Sequence, residues 1–280
     1  MTPECANKAP PIRVIELAGL PGAGKSTIAC SLEDMLRRAG VPTISRSVEF
    51  ADNRSFMYRQ QRRAQMIARH AMQCGTLFSR SFQLIAGSGQ ISLSDFAIVT
   101  SNLWAVLSLM AKAREAQDKV LILDQGLVQA FWSVQLSSRH TLPLGSWAPL
   151  FLAAGAAETL LVHIHTDLSV SRYRVAARRH GRTRLNAINF EERSHRWNTA
   201  SDNMSKLIEW AEQTLPQDEH GGRVLSVVNH ESTPEAAAAQ IADAYLKRRV
   251  LRPLSKPAES TEREMNIILG DHAEAKRAQR

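Results

Sequence analysis

The 280-residue sequence predicts an α/β fold of three layers, in which a five-stranded parallel sheet carries helices on both faces. Short apolar runs alternate along the chain with longer segments that repeat apolar residues at helical spacing. A glycine-rich loop joins the first apolar run to the first helical segment. Hydrophobic residues make up 44% of the chain, so the fold can bury a sizeable core.

The first half of the chain is predicted to open with a strand, the glycine-rich loop and a helix. Val14 and Ile15 belong to an apolar run that suits the interior of a parallel sheet. Ile28 and Leu32 recur at helical spacing, and Gly40 ends that helix. The elements predicted next are a strand at 41–50, a helix at 54–73, a loop at 86–92 and a helix at 93–116.

The second half continues the alternation of strands and helices. Its predicted strands are 120–123, 160–165 and 224–228, and its predicted helices are two within 126–154, one at 190–213 and one at 235–248. An arginine-rich helix and loop lie around residues 167–186. We interpret residues 12–250 as one domain, preceded by a flexible leader (1–11) and followed by a basic tail (251–280) that is predicted to be disordered.

The glycine loop, residues 19–27, matches G-x-x-x-x-G-K-[ST] and predicts a P-loop NTPase fold. Its glycines let the backbone turn its N–H groups inward, and the helix that follows adds the positive end of its dipole, so the loop suits a phosphate chain. Lys25 is expected to reach the β- and γ-phosphates, and the Ser26 hydroxyl to bind Mg²⁺. The predicted cofactor-binding residues are Gly19, Leu20, Pro21, Gly22, Ala23, Gly24, Lys25, Ser26 and Thr27.

A carboxylate, Asp124, directly follows the apolar run at 120–123. Ligands of open α/β sheets bind at the carboxyl ends of the strands. Asp124 is therefore predicted to hold Mg²⁺ or to accept a proton from the attacking hydroxyl, and these two roles stay open. It could also cap the helix that begins after it.

The acceptor side is predicted from three further residues. Glu49 ends the second predicted strand and is a candidate to orient the acceptor hydroxyl or to act as general base, although an exposed strand-end carboxylate is the alternative. Arg54 is a candidate contact for an acceptor phosphate. Gln83 stands in an apolar stretch and is a candidate to bond the edge of a base.

Six arginines and no acid occur in residues 172–184, which predicts a lid over the phosphates. Arg174 and Arg178 lie four residues apart and so share a helix face, and Arg184 follows in a loop. Arginine stabilises the charge that phosphoryl transfer spreads over the phosphate oxygens, so these three are predicted to be catalytic. The alternative is a basic helix that faces solvent.

The order of these parts resembles that of P-loop nucleoside and nucleotide kinases, most closely the thymidylate-kinase-like group, over residues 12–248. The glycine loop carries the strongest match. The run AQDKVLILD is similar to the family's strand before an Asp-Arg motif, which here reads Asp124-Gln125. The run VHIHTDLS, which ends just after Asp167, is similar to the strand that enters an Asp-Pro-Glu helix.

The resemblance implies ATP as phosphoryl donor, Mg²⁺ as metal and a small nucleoside or nucleotide as acceptor. It also implies lid roles for Arg174, Arg178 and Arg184, and a place near adenine for Asn229, His230 and Ser232. The Arg-Glu-Pro-Gly run of the thymidylate-kinase-like group is replaced here by Ser47-Val48-Glu49-Phe50, and the position of Glu49 resembles deoxynucleoside kinases.

Charge and composition restrict the partners. The net charge of +8 lies partly in 172–184 and partly in the tail, and no basic stripe with interleaved aromatic residues is seen, so a phosphate-rich small molecule is favoured over nucleic acid. The first residues lack the apolar core of a signal peptide, and we predict a cytoplasmic protein without membrane contact. The helix at 93–116 is a candidate contact for a homodimer.

Three functions follow from these observations, in order of preference. The first is an ATP- and Mg²⁺-dependent kinase that transfers the γ-phosphoryl to a nucleoside or nucleotide. The second is a P-loop ATPase or nucleotide-dependent regulator that acts on a macromolecular partner. The third is a kinase of a small molecule other than a nucleotide, such as a sugar.

Overall fold

Five parallel strands form the sheet, in the order β2-β3-β1-β4-β5. The strands are β1 (Val14–Ala18), β2 (Thr43–Ser45), β3 (Val120–Leu123), β4 (Thr159–His165) and β5 (Val224–Val228). The central strand β1 pairs in parallel with β3 on one side and with β4 on the other. Every residue of β1 and β3 is buried, as expected for a parallel sheet that is covered on both faces. The predicted five-stranded parallel sheet is confirmed.

The structure, a computed structural model, describes residues 10–45, 56–116, 118–178, 185, 190–217, 222–229 and 233–250. Residues 1–9 of the predicted leader and the whole predicted tail, 251–280, lie outside these ranges. The α-helices within them are α1 (Lys25–Arg38), α2 (Phe56–Gln73), α3 (Gly75–Gly87), α4 (Leu93–Glu115), α5 (Leu127–Leu136), α6 (Ala148–Ala153), α7 (Leu168–Ala176), α8 (Phe190–Thr214) and α9 (Pro234–Val250). Short 3₁₀ helices occur at Leu144–Trp147 and Ala156–Glu158.

The two faces of the sheet bury two separate cores. On one face, Ile15 and Leu17 of β1 pack with α1 and α9. On the other face, Val14 and Ala18 pack with a larger cluster that includes α3, α4, α5 and α8. Side chains of a strand alternate between the faces, so β1 contributes to both cores. This arrangement confirms the three-layer prediction.

One helix, α3, was not predicted from the sequence. The prediction assigned no element to residues 74–85, yet a helix fills Gly75–Gly87 and buries Phe78, Ser81 and Ile85. Cys74 separates α2 from α3. Helix α3 begins and ends with a glycine, a residue typical of turns, so its sequence resembles a turn. The loop predicted at 86–92 shrinks to the residues before α4, where the Ser92 hydroxyl accepts a hydrogen bond from the Asp95 amide and caps the helix.

The second strand is shorter than predicted, since β2 ends at Ser45 and residues 46–50 lie outside the described ranges. The other predicted strands and helices match the observed ones to within a few residues. Such shifts at the ends are expected, because helix and strand ends are the least defined parts of an element.

Helix α4 has the length and the apolar composition of a segment that could cross a membrane. In the fold, 56% of its most apolar stretch is buried, and residues such as Leu103 and Met110 belong to the larger core. A core helix meets the same criteria of length and composition as a membrane span, so α4 is accounted for by packing.

The strand order brings the predicted site together at one edge of the sheet. The chain runs from β1 outward to β2, returns to β3 beside β1, and then crosses to β4 on the other side. The carboxyl ends of β1, β3 and β4 are therefore neighbours. A crevice at such a change of direction is where open α/β sheets bind their ligands.

Candidate functional site

The glycine loop connects β1 to α1 in a tight turn. Gly22 and Gly24 have φ angles of 88° and 89°, in the left-handed region that glycine favours. A Cβ atom at Gly22 would lie 2.5 Å from the backbone oxygen of Ser171, at the start of the lid region. The loop therefore needs glycine both for its backbone conformation and for the close approach of α7.

Lys25 is the first residue of α1, and its side chain turns back over the loop. Its Nζ donates hydrogen bonds to the carbonyl oxygens of Gly19 at 2.7 Å and Leu20 at 2.9 Å. Burial lowers the pKa of Lys25 to about 8, Asp124 partly opposes this shift, and Arg178 adds to it. The ammonium group is thus enclosed beside the loop, where a phosphate would stabilise its charge.

The predicted pair Ser26 and Asp124 is in direct contact. The Ser26 hydroxyl donates to Oδ2 of Asp124 at 2.7 Å. The parallel pairing of β1 with β3 brings the first turn of α1 beside the end of β3. A hydroxyl and a carboxylate at this separation fit two positions in the oxygen shell that Mg²⁺ prefers. Among the described residues no cluster of three His, Cys, Asp or Glu side chains occurs, so phosphate and water would supply the other ligands.

Two of the three arginines that were predicted to be catalytic are described, and they face different partners. Arg174 in α7 donates from Nη1 to the backbone oxygen of Asn229 at 3.2 Å, on the β5 side of the loop. Arg178, just after α7, lines the same cleft as the loop and lies close enough to Lys25 to affect its pKa. Arg184 lies outside the described residues.

A cleft of about 320 Å³ extends from the glycine loop to α4 and α5. Lys25, Ser26 and Arg178 line the loop end. The far wall, which consists of residues from α4, α5 and the turn before α5, carries uncharged polar groups and apolar side chains. Its lining residues are Asn102, Val106, Gln125, Gly126, Gln129, Ala130, Trp132, Ser133 and Leu136.

The sequence analysis missed the polar residues of the far wall. Gln129 and Ser133 lie four residues apart in α5 and so share one helix face, and Gln125 stands in the turn before that helix. This spacing was a readable signal, because a polar stripe on an otherwise buried helix needs a partner. Gln129 is only 8% exposed, and its Oε1 accepts a hydrogen bond from the Gly19 amide at 3.3 Å.

Glu16 is a second residue that the sequence analysis did not single out. It is 0% exposed, and its Oε1 accepts from the amides of Val128 at 2.7 Å and Gln129 at 3.4 Å. Burial raises the pKa of Glu16 to about 7, although the amide hydrogen bonds oppose the shift. The carboxyl group also occupies the space that a Cβ of Gly126 would need.

Glu16 therefore acts as a helix cap supplied from another element. Helix α5 begins after Gly126, which has no side chain to cap it. The amides of Val128 and Gln129 belong to the first turn, where a local Ser or Asp would normally accept hydrogen bonds. The carboxyl group from β1 takes this role and fixes the start of α5 against the glycine loop.

Asn229 follows β5 and also contacts the glycine loop. Its Nδ2 donates to the carbonyl oxygen of Ala23 at 2.6 Å, and the residue is 2% exposed. The resemblance implied a place near adenine for the residues after β5. In the structure the Asn229 side chain braces the loop, while His230 and Ser232 lie outside the described residues.

Of the three predicted acceptor residues, the structure describes Gln83, and it does not lie at the cleft. Gln83 is exposed on α3 and lines a separate groove with Arg80 and Ser146. Glu49 and Arg54 fall in residues 46–55, outside the described ranges. Among the loop residues, Ala23 is buried in the core of the α1 face, whereas Pro21 and Thr27 line the cleft.

Comparison with known proteins gives one family match. The family model described as an AAA domain matches residues 14–204, which is more than half of the chain. A comparison with curated proteins finds no match.

Several solved structures with a similar course of the chain carry the name of a kinase, at low identity. Shikimate kinase from Acinetobacter baumannii is 11% identical, with a TM-score of 0.45, 85% of this chain covered and 96% of that one. Deoxyadenosine kinase from M. mycoides is 14% identical, with a TM-score of 0.44 and coverages of 84% and 99%. APS kinase from Mycobacterium tuberculosis is 13% identical, with a TM-score of 0.38 and coverages of 85% and 99%.

Proposed function

This chain belongs to the AAA domain family, and on that premise we propose that it is an ATP- and Mg²⁺-dependent phosphotransferase. It would transfer the γ-phosphoryl of ATP to a small acceptor, a nucleoside or nucleotide by the resemblance to thymidylate-kinase-like proteins. One observation carries the proposal. The Ser26–Asp124 contact of 2.7 Å lies beside Lys25, at a cleft that continues past the loop along α4 and α5.

The glycine loop and Lys25 would bind the triphosphate. The loop backbone turns around Gly22 and Gly24, and the dipole of α1 points its positive end at the loop. The Lys25 ammonium, now bonded to two loop carbonyls, is placed to exchange these contacts for phosphate oxygens.

Ser26 and Asp124 would hold Mg²⁺, which neutralises phosphate charge when it is bound. The residues fit this role, since a hydroxyl and a carboxylate meet at the sheet edge where the phosphates would end. Asp124 is also a candidate to accept the proton of the acceptor hydroxyl. Glu49 stays the second candidate for this proton, as a prediction from the sequence.

Arg178 would stabilise the charge of the transferring group, because it lines the cleft near Lys25. Arg174 would secure the loop on the β5 side through its bond to the Asn229 backbone. Roles for Arg184 in the lid and for Arg54 at the acceptor stay predictions from the sequence.

The cleft favours a kinase over an ATPase that acts on a macromolecule. In an ATPase the acceptor is water, which needs no cavity beyond the phosphates. Here the cleft extends past the glycine loop along α4 and α5, as a kinase needs for a larger acceptor. Enclosing the acceptor would keep water away from ATP.

The test is ADP formation from ATP and Mg²⁺ by the purified protein, with and without a panel of nucleosides, nucleotides and sugars. ADP formation that depends on an acceptor, together with a phosphorylated product in mass spectrometry, supports the proposal. ADP formation that no small acceptor changes would refute it.

A further inference from the structure

The far wall of the cleft differs in charge from the loop end. Among the described residues that line the cleft, the charged ones are Lys25 and Arg178, and both belong to the loop end. The far wall carries amides, a hydroxyl and apolar side chains. A ligand that occupies both ends would therefore place its charge at the loop and an uncharged part against α4 and α5.

Asn102 in α4 has its amide orientation fixed by an arginine. Nη2 of Arg63 in α2 donates to the oxygen Oδ1 of Asn102 at 2.8 Å. A guanidinium can only donate hydrogen bonds, so its partner must be the amide oxygen. The Nδ2 amide group is then the polar group that Asn102 offers to the cleft, and it can only donate.

The amide of Gln129 in α5 is also oriented by a hydrogen bond to its oxygen. The backbone N–H of Gly19 can only donate, and its partner is Oε1 of Gln129 at 3.3 Å. The Nε2 amide group is left as the donor of this side chain toward the cleft. Glu16 fixes the first turn of α5, which carries Gln129, so the donor is held in place before a ligand arrives.

The apolar part of the far wall is also rigid. The indole Nε1 of Trp132 donates to the backbone oxygen of Ala200 at 2.7 Å, so the ring is anchored and turns carbon atoms to the cleft. Val106 and Leu136 extend this surface. Flat apolar walls with a few fixed donors suit a ring that bears hydrogen-bond acceptors on its edge.

We propose that the acceptor is an uncharged ring compound with a free hydroxyl, such as a nucleoside without phosphate, and that Asn102 and Gln129 recognise it. This inference rests on the proposed function. The amide groups Nδ2 of Asn102 and Nε2 of Gln129 donate to oxygen or nitrogen atoms of the ring. The hydroxyl oxygen bonds to the γ-phosphorus, the bond from that phosphorus to the β,γ-bridging oxygen breaks, and ADP leaves. The hydroxyl proton passes to the base, for which Asp124 and Glu49 are the candidates, and from there to solvent.

A phosphorylated acceptor fits this wall less well. Its phosphate would need a cation at the far wall, since an unpaired charge away from water is costly. The Arg63 guanidinium already donates to the oxygen of Asn102. Within the described part of the cleft, the polarity of the wall therefore favours an uncharged acceptor.

The first test compares matched acceptors with the unchanged protein. Nucleosides and their 5′-monophosphates are supplied in pairs with ATP and Mg²⁺, and ADP and phosphorylated products are measured. We expect kcat/KM to be at least about ten-fold higher for the nucleoside of a pair than for its monophosphate. A factor of this size is typical when a charged group lacks one hydrogen-bonded partner. Higher values for the monophosphates overturn this inference and leave the proposed function intact. ADP formation that no acceptor changes overturns both.

The second test uses variants that remove one donor each. Asn102→Asp keeps an oxygen for Arg63, and Gln129→Glu keeps an oxygen for the Gly19 amide, but neither can donate to the ligand. We expect the nucleoside KM to rise about five-fold or more in both variants, since one lost hydrogen bond corresponds to about that factor. The ATP KM should stay unchanged in Asn102→Asp, because Asn102 does not contact the glycine loop. Gln240→Glu, the same change on the exposed face of α9, is the matched control. An unchanged nucleoside KM in both folded variants overturns the proposal.

Discussion

At the scale of single residues, two buried ionisable groups dominate the site. Lys25 and Glu16 lie on either side of the glycine loop, and burial shifts each pKa toward neutrality, to about 8 and about 7. A bound phosphate would raise the pKa of Lys25 again, because an opposite charge offsets desolvation. Glu16 meets the amides of α5, so its effect is on the position of that helix.

Replacing Lys25 by alanine is expected to remove the phosphate contact and to leave the loop folded. We expect kcat to fall by about 10² to 10³, the usual cost of losing one fixed donor at a reacting phosphate or oxyanion. Acceptor-dependent ADP release measures the change in kcat, and titration calorimetry measures the loss of nucleotide affinity. Lys206→Ala, an exposed lysine in α8, is the control. Unchanged turnover in Lys25→Ala would remove the basis for the proposed chemistry.

The raised pKa of Glu16 predicts a specific dependence of stability on pH. Between its ordinary pKa near 4.5 and its folded pKa of about 7, the folded chain keeps a proton that the unfolded chain releases. The contribution of Glu16 to the free energy of unfolding is thus fully present below pH 4.5, and it decreases as the pH rises to 7. A rise of this size in the pKa of Glu16 corresponds to about 3 kcal/mol in the free energy of unfolding.

Glu16→Gln removes this titration and keeps an oxygen for the amides of Val128 and Gln129. The difference in unfolding free energy between wild type and Glu16→Gln should change steadily between pH 4.5 and 7, in favour of the variant at higher pH. Urea unfolding over this range measures it. Glu212→Gln, at an exposed position in α8, should show no such trend. Parallel pH profiles for wild type and Glu16→Gln would contradict the assignment.

At the scale of elements, three segments converge on the glycine loop. Helix α5 reaches it through Gln129, the end of β5 through Asn229, and α7 through the close approach of Ser171 to Gly22. These contacts come from far apart in the chain. The loop is therefore shaped by its neighbours as well as by its own glycines.

Asn229→Ala tests the brace between β5 and the loop. The Ala23 carbonyl would lose its buried donor, so stability should fall by about 1–3 kcal/mol. Nucleotide affinity should weaken too, because the loop would lose part of its fixed shape. Thermal unfolding and nucleotide titration measure both, with Asn198→Ala on the exposed face of α8 as control. A variant with wild-type stability would show that the brace contributes nothing.

At the scale of the whole molecule, the sheet brings the proposed phosphate site and the proposed acceptor wall to one edge. A bound nucleotide would contact the loop, the end of β3 and the lid, so it should stabilise the entire fold. At 100 times its Kd, a ligand adds about 2.7 kcal/mol. A shift of the melting temperature by several degrees is expected for a domain of this size.

Metal removal gives the corresponding whole-molecule prediction. We expect the melting shift from a non-hydrolysable ATP analogue to shrink when EDTA removes Mg²⁺, and Asp124→Asn to show the smaller shift even with Mg²⁺ present. Differential scanning fluorimetry checks both. A shift of equal size with EDTA would argue against a metal held by Ser26 and Asp124. Homodimer formation and a cytoplasmic location stay predictions, and light scattering would test the former.

Sequence alone identified the parts whose chemistry is local. The glycine loop, Asp124 after its strand, and the alternation of strands and helices each depend on neighbours in the chain, so spacing and residue type were enough to predict them. The missed helix α3 shows the limit of this reasoning, since its terminal glycines resemble a turn when packing is unknown.

Tertiary structure decided which distant residues meet. Glu16 caps α5 across 112 positions of the chain, and Asn229 braces Ala23 across 206. No pattern of spacing encodes such pairs, because they depend on the order of strands in the sheet. The far wall is another such case. Its amides were visible in the sequence, but only the fold showed which of their atoms are bonded to Arg63 and Gly19.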